Sequence, residues 1–207
     1  MSRQGLLIAF EGIDGTGKST QLALLADFLR SRGCEVVQTR EPTDGEYGRR
    51  IRELYQDRGQ CTPEEELELF TRDRRQHVRD CIEPALAAGR IVLTDRYYFS
   101  TVAYQGAAGC DPEQVFAANS FAPEPDLVLL LTMEPEQSLA RIRELRGDTL
   151  NDFEQLDQLR RVARLFASFR HRCITRIDAA APLDRVQAEI RRAVLELMDR
   201  RGYRCST

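Results

Sequence analysis

The chain has 207 residues, 42% of them hydrophobic and 30% charged, with a formal net charge of −3. That length fits one compact domain or at most two small ones, and the composition is too apolar for a disordered chain. The near-neutral charge excludes a general nucleic-acid binder, no apolar run approaches the roughly 18 residues of a membrane span, and the opening Met-Ser-Arg-Gln-Gly carries no signal-peptide pattern. No nucleic-acid partner, no membrane and a cytoplasmic location are therefore expected. Six cysteines, at 34, 61, 81, 110, 173 and 205, contain no C-x-x-C pair. Reduced thiols are expected from them, rather than a disulfide framework or a zinc site.

Residues 6–10 are an apolar run ending in Glu11-Gly12 and read as a buried strand. Next comes Gly12-Ile13-Asp14-Gly15-Thr16-Gly17-Lys18-Ser19, a full match to G-x-x-x-x-G-K-[ST], placed between a strand and a helix as that motif requires. Its glycines let main-chain N–H groups turn inward as an anion nest, and the helix N-terminus adds its positive dipole end. Gly12, Asp14, Gly15, Thr16, Gly17, Lys18, Ser19 and Thr20 are the candidate phosphate cradle of an NTP site. Lys18 should reach the β- and γ-phosphates, and the Ser19 hydroxyl should ligate Mg²⁺. Of the 30 basic residues, Lys18 is the single lysine. A slender ammonium enters such a loop as a point charge where a planar guanidinium is much bulkier. Asp14 inside the loop reads either as a turn residue, as an acceptor for a sugar hydroxyl of a second substrate, or as a ligand to a Mg²⁺-bound water.

Apolar residues at Leu22, Leu25, Phe28 and Leu29 predict a helix over 18–32, stopped by Gly33. A second strand is expected over 35–39 and a short helix over 49–58. Thr62-Pro63-Glu64-Glu65 has the form of a capping box at a helix start. That helix should present Leu67, Phe70, Val78, Cys81 and Ile82 on related faces, and Pro84 should kink or end it. Strands are expected at 91–93, running to Asp95, then at 127–131 and 173–177. Helices are expected at 137–145 and 153–171, with a terminal one marked by Val186, Ile190, Val194 and Leu197. Alternating strands and helices predict an α/β fold: a five-stranded parallel sheet with helices on both faces, of the phosphate-loop NTPase type, forming a single domain over 1–207. Ligands of such sheets collect beyond the carboxyl ends of the strands.

Three further clusters fall at that edge: Thr39-Arg40-Glu41-Pro42, Asp95-Arg96-Tyr97, and Phe70 with Arg74 one helical turn later. Asp95 suits a Mg²⁺-linked acid. Arg40, Arg74 and Arg96 are candidates to converge on a second anionic group, and Phe70 with Arg74 to stack a base and hold its phosphate. Each also has a plainer reading, as core or as a surface ion pair.

With these motifs in order, the sequence resembles the thymidylate kinases over nearly its whole length. The resemblance is carried by residues 10–20, Thr39-Arg40-Glu41-Pro42, Leu69-Phe70 with Arg74, Gln76-His77-Val78, Asp95-Arg96-Tyr97, Ser100-Thr101, Ala103-Tyr104-Gln105-Gly106 and Pro125-Asp126-Leu127. It implies phosphorylation of dTMP by ATP with Mg²⁺, and a homodimer. It implies that Phe70 stacks on thymine, that Arg74 and Arg96 contact the base or acceptor phosphate, and that Asp14 faces the sugar 3′-hydroxyl. Tyr104 would pack where a ribose 2′-hydroxyl would sit, Ser100 and Gln105 would line the nucleotide pocket, and Arg40 and Glu41 would organise the phosphate side. A lid over about 141–154 would supply Arg143 or Arg146 to the ATP phosphates, while Asp152 occupies a position where family members commonly have arginine. Two other readings stay open at this stage: a kinase for another (deoxy)nucleoside or nucleoside monophosphate, with Glu41 as base, and a nucleotide-binding protein without an acceptor.

Overall fold

The computed structural model describes residues 4–55, 61–146 and 152–205, with side chains outside 145–155. Five parallel strands, β1 (Leu6–Glu11), β2 (Val36–Arg40), β3 (Ile91–Asp95), β4 (Leu127–Thr132) and β5 (Ile174–Asp178), form one sheet in the order β2-β3-β1-β4-β5. The helices are α1 (Lys18–Ser31), α2 (Glu46–Leu54), α3 (Pro63–His77), α4 (Glu83–Ala87), α5 (Tyr98–Ala107), α6 (Pro112–Ala118), α7 (Pro135–Arg146), α8 (Asp152–Ser168) and α9 (Leu183–Arg201). Observed strand ends differ from the expected ones by a residue or two, the usual uncertainty of element ends.

The apolar runs are explained by burial on both faces. In β1, Leu6, Ile8 and Phe10 point into a core shared with α1 and α9, while Leu7 and Ala9 point into a second core under α5 and α8. Side chains alternate across a strand, so a strand covered on both sides reads as continuous hydrophobe rather than as alternation. Asp126, from the Pro-Asp-Leu segment, clamps β4 to β1: its carboxylate accepts from Leu7 N at 2.8 Å, and its own N–H donates to Leu7 O at 2.8 Å.

Three expectations are corrected. Pro84 does not end the helix; α3 passes through a π-helical turn (Val78–Ile82), and the proline stands in the first turn of α4. The wider turn releases the main-chain bond that proline cannot make. Second, α5 and α6 were not expected as helices. Third, Cys34 and Cys205 form a disulfide. They are 171 residues apart, so no local spacing announces them; the chain leaving α9 folds back onto the α1–β2 turn, with Tyr203 Oη donating to Gly89 O at 2.7 Å. Cys61, Cys81, Cys110 and Cys173 are free thiols, as expected.

Candidate active site

The loop between β1 and α1 is shaped by glycine. Gly12 has φ 134°, and a Cβ there would fall on the Leu131 carbonyl, so the strand-to-loop turn admits no side chain. Gly17, at φ 82°, forms the N-cap of α1. Thr16 Oγ1 donates to Ile13 O at 2.9 Å and braces the turn. Lys18 is buried, and its Nζ donates to Gly12 O at 3.1 Å and Ile13 O at 2.9 Å. Burial, aided by the charge of Arg96, lowers its pKa to about 8. An arriving polyphosphate would oppose both effects.

Ser19 Oγ donates to Asp95 Oδ2. A hydroxyl and a carboxylate meeting at the edge of the loop are the hard oxygens Mg²⁺ prefers, so the residues present fit that ion. Asp95 reaches this point because β3 pairs beside β1, with Phe10 opposite Asp95.

Asp14 turns away from the loop's anion nest. Its Oδ1 accepts from Arg96 Nη2 at 2.7 Å and its Oδ2 from Tyr104 Oη at 3.2 Å. Burial alone would raise its pKa, but Arg96 and Lys18 hold it well below the usual carboxylate range. Tyr104 is pushed the other way, to about 12, chiefly by burial. Arg96 donates to Asp14, Tyr104 and Ser100, and its guanidinium lies 4.9 Å from the Tyr104 ring centroid. Its backbone is left-handed at φ 71°, alone among the described non-glycine residues.

Arg74 is fully buried on α3. It donates from Nε to Glu41 at 3.0 Å, from Nη2 to Glu41 and to Thr101 Oγ1, and from Nη1 to Asn119 Oδ1. Glu41, which follows β2 and precedes a cis peptide to Pro42, also contacts His77 Nδ1 at 2.9 Å. Burial would raise the Glu41 pKa, but Arg74 and His77 lower it. Burial likewise opposes charge on His77, yet hydrogen bonds to Cys81 and Glu41 raise it to about 9. The other ring nitrogen of His77 lies 2.7 Å from Thr39 Oγ1.

These side chains bound two cavities of about 620 Å³ each, both large enough for a nucleotide-sized ligand. One is floored by residues 14–21 with Arg40, Asp95 and Arg141; the other is lined by Phe70, Arg74, Ser100, Tyr104 and Gln105. Asp14, Glu41 and Arg96 line both and form a common wall. In the second cavity the buried Gln105 Oε1 has no hydrogen-bond partner. A buried amide oxygen without a donor is costly, so a ligand N–H is the natural complement.

The three arginines expected to converge are divided between the two cavities, with Arg96 lining both. Arg74 and Arg96 line the second cavity, whereas Arg40 lies with the phosphate loop, exposed and bonded to Asp44 at 2.7 Å. Arg40 pairs with Asp95 across β2 and β3, which directs it to the loop side. In the lid, Arg143 is exposed and lines neither cavity, and the side chains of Arg146 and Asp152 lie outside what the structure describes. Arg141 instead lines the phosphate cavity and donates to Ala179 O at 3.1 Å. Of the partners of Arg74, Asn119 carried no signal in sequence, and Thr101 stood only in the Ser100-Thr101 segment with no role given to it.

A phosphate cradle facing a second nucleotide-sized cavity across one charged wall, on a parallel sheet ordered in this way, defines a phosphate-loop kinase. The sequence model of the family described as thymidylate kinase matches residues 10–190. A thymidylate kinase from Desulfotalea psychrophila is 51% identical over 194 residues, covering 94% of this chain and 96% of that protein. One from Xanthomonas campestris pv. campestris is 49% identical over 88% of this chain and 79% of its own length, and one from Xanthomonas euvesicatoria pv. vesicatoria is 48% identical over 88% and 80%. The chain belongs to the thymidylate kinase family.

Proposed function

We propose that this chain transfers the γ-phosphoryl group of ATP to the phosphate of dTMP, giving dTDP and ADP. The observation that carries the reading is the common wall of Asp14, Glu41 and Arg96 between the two cavities, because a donor and an acceptor phosphate must meet at one point. ATP lies with its phosphates on the loop of residues 12–20. Phe70 stacks on thymine, Gln105 accepts from the base, and Asp14 and Tyr104 face the sugar. Ser100 and Arg74 line the base and phosphate side. Mg²⁺ bound at Ser19 and Asp95 would neutralise phosphate charge.

A phosphate monoester has a second pKa of about 6, so the attacking oxygen is largely anionic at neutral pH and no strong base is required. That oxygen bonds to the γ-phosphorus as the bond from the γ-phosphorus to the bridging oxygen breaks, and the electron pair leaves on ADP. The obstacle is repulsion between two polyanions, so alignment and positive charge carry the catalysis. Lys18 and Arg96 supply that charge from either side of the transferred group. Arg141 adds to it from the lid helix, with Arg143 and Arg146 as the remaining lid arginines of the reading. Glu41 is a poor base for a hydroxyl acceptor: it is buried, its pKa is lowered, and both oxygens are taken by Arg74 and His77. This favours a phosphate acceptor over a nucleoside.

The reading treats 1–207 as one domain with its lid near 141–154, acting as a homodimer in the cytoplasm; no described helix is long and apolar enough to cross a membrane. A panel of nucleoside monophosphates, with thymidine beside dTMP, incubated with ATP and Mg²⁺ tests it. Diphosphate should form fastest from dTMP and not from thymidine; equal or faster turnover of thymidine would overturn it.

A further inference from the structure

Helix α5 carries Ser100, Tyr104 and Gln105, and it starts without a local cap: no side chain of the N-cap Tyr97 accepts from its first turn. Exposed first-turn N–H groups normally find a capping oxygen. Here the acceptor comes from another element. Glu11, the last residue of β1, is fully buried, and its Oε1 accepts from Tyr97 N at 2.9 Å and Ser100 N at 3.1 Å. Its Oε2 accepts from Ser100 Oγ, which in turn accepts from Arg96 Nη1 at 2.9 Å. The main chain of Arg96 is fixed by the same strand, through a bond from its N–H to Phe10 O at 2.9 Å. Arg96 thus holds an unfavourable left-handed backbone at a point where β1 supplies two restraints, one through main chain and one through the Glu11 carboxylate.

We propose that Glu11 is a positioning residue for the transfer: by capping α5 and anchoring Ser100, it sets the guanidinium of Arg96 at the wall between the two cavities. Glu11 lines neither cavity, so it has no direct role toward either nucleotide. Burial raises its pKa to about 7, a cost that an apolar residue at this depth would avoid. Glutamine is close to isosteric, but its amide N–H₂ would donate to Ser100 Oγ, so the hydroxyl would lose its carboxylate acceptor and would have to take both this donor and Arg96 on its oxygen. The proposal rests on the reading of Arg96 as a contact to the acceptor phosphate, and the experiment separates the two.

Steady-state kinetics of wild type, E11Q, R96A and E11Q/R96A would be measured, with circular dichroism and thermal unfolding of each. E11Q should lose about 10- to 100-fold in kcat/KM for dTMP, the scale of a small misplacement at a reacting centre, while KM for ATP changes by less than about threefold. In the R96A background, E11Q should cost nothing further, because residues acting through one another are not additive. Additive losses, an unchanged dTMP response, or equal loss toward both nucleotides would overturn the proposal for Glu11. Full activity of R96A would instead overturn the reading of Arg96. If E11Q does not fold, E11D carries the same test: it keeps the charge but is one methylene too short to hold Ser100, and additivity with R96A would again count against the proposal.

Discussion

At the scale of single residues, the site is a set of charges held in place before substrate arrives. Lys18 shows it most simply: its Nζ is gripped by two carbonyls of its own loop and its pKa is lowered to about 8. Lys18→Ala should reduce kcat by about 10²–10³ or more, the cost of one preorganised donor, with a circular dichroism spectrum like that of wild type. His77 is linked to stability rather than to chemistry. Its pKa is raised to about 9 in the folded protein from an ordinary value of 6.5, so the folded state binds its proton more tightly than the unfolded chain. The stabilisation is complete below about pH 6.5 and is lost as pH rises through about 9. The Tm of wild type should therefore fall between pH 7 and 9.5 more steeply than that of His77→Gln; parallel slopes would remove His77 from this role.

At the scale of elements, α3 matters most because it carries Phe70, Arg74 and His77. Its capping box is fully formed: Glu65 N donates to Thr62 Oγ1 at 3.2 Å, and Thr62 N to Glu65 Oε2 at 2.9 Å. Thr62→Ala should cost about 1 kcal/mol in urea unfolding, within the range for lost N-caps. This box was legible in the sequence, as were β1, β3 and β4, because a few adjacent residues carry those signals. Helix α5 was not. Phe99, Ser100, Thr101, Val102, Ala103 and Gln105 are all buried, so there is no polar stripe to mark a helical period. The buried face of α3 was equally opaque. It is formed by Thr71, Asp73, Arg74 and His77, and the partners of the last three, Glu41, Thr43, Thr101 and Asn119, lie far off in the chain. Motif spacing identified the loop lysine and the arginines, but not which cavity each arginine would serve.

At the scale of the whole molecule, the sheet divides the interior into two cores and gathers the strand ends under both cavities. The far side of the molecule is closed by the Cys34–Cys205 bond. Cross-linking residues 171 apart restricts the unfolded chain most strongly when the loop is long, by up to about 5 kcal/mol in the chain-entropy account. Oxidised protein should unfold at higher urea than protein kept in dithiothreitol, and the difference should vanish in Cys205→Ser. Near this bond, the two ends of the described chain come together. Tyr203 donates to Gly89 O, and the Gln4 side chain lies within 3.9 Å of where a Cβ of residue 89 would stand. A short linker from Cys205 to Gln4 would therefore keep the disulfide and span little distance, and the exposed turn at Gly109 offers a place for new termini. Such a circular permutant would start on α6 and leave β1, the loop and α1 in mid-chain.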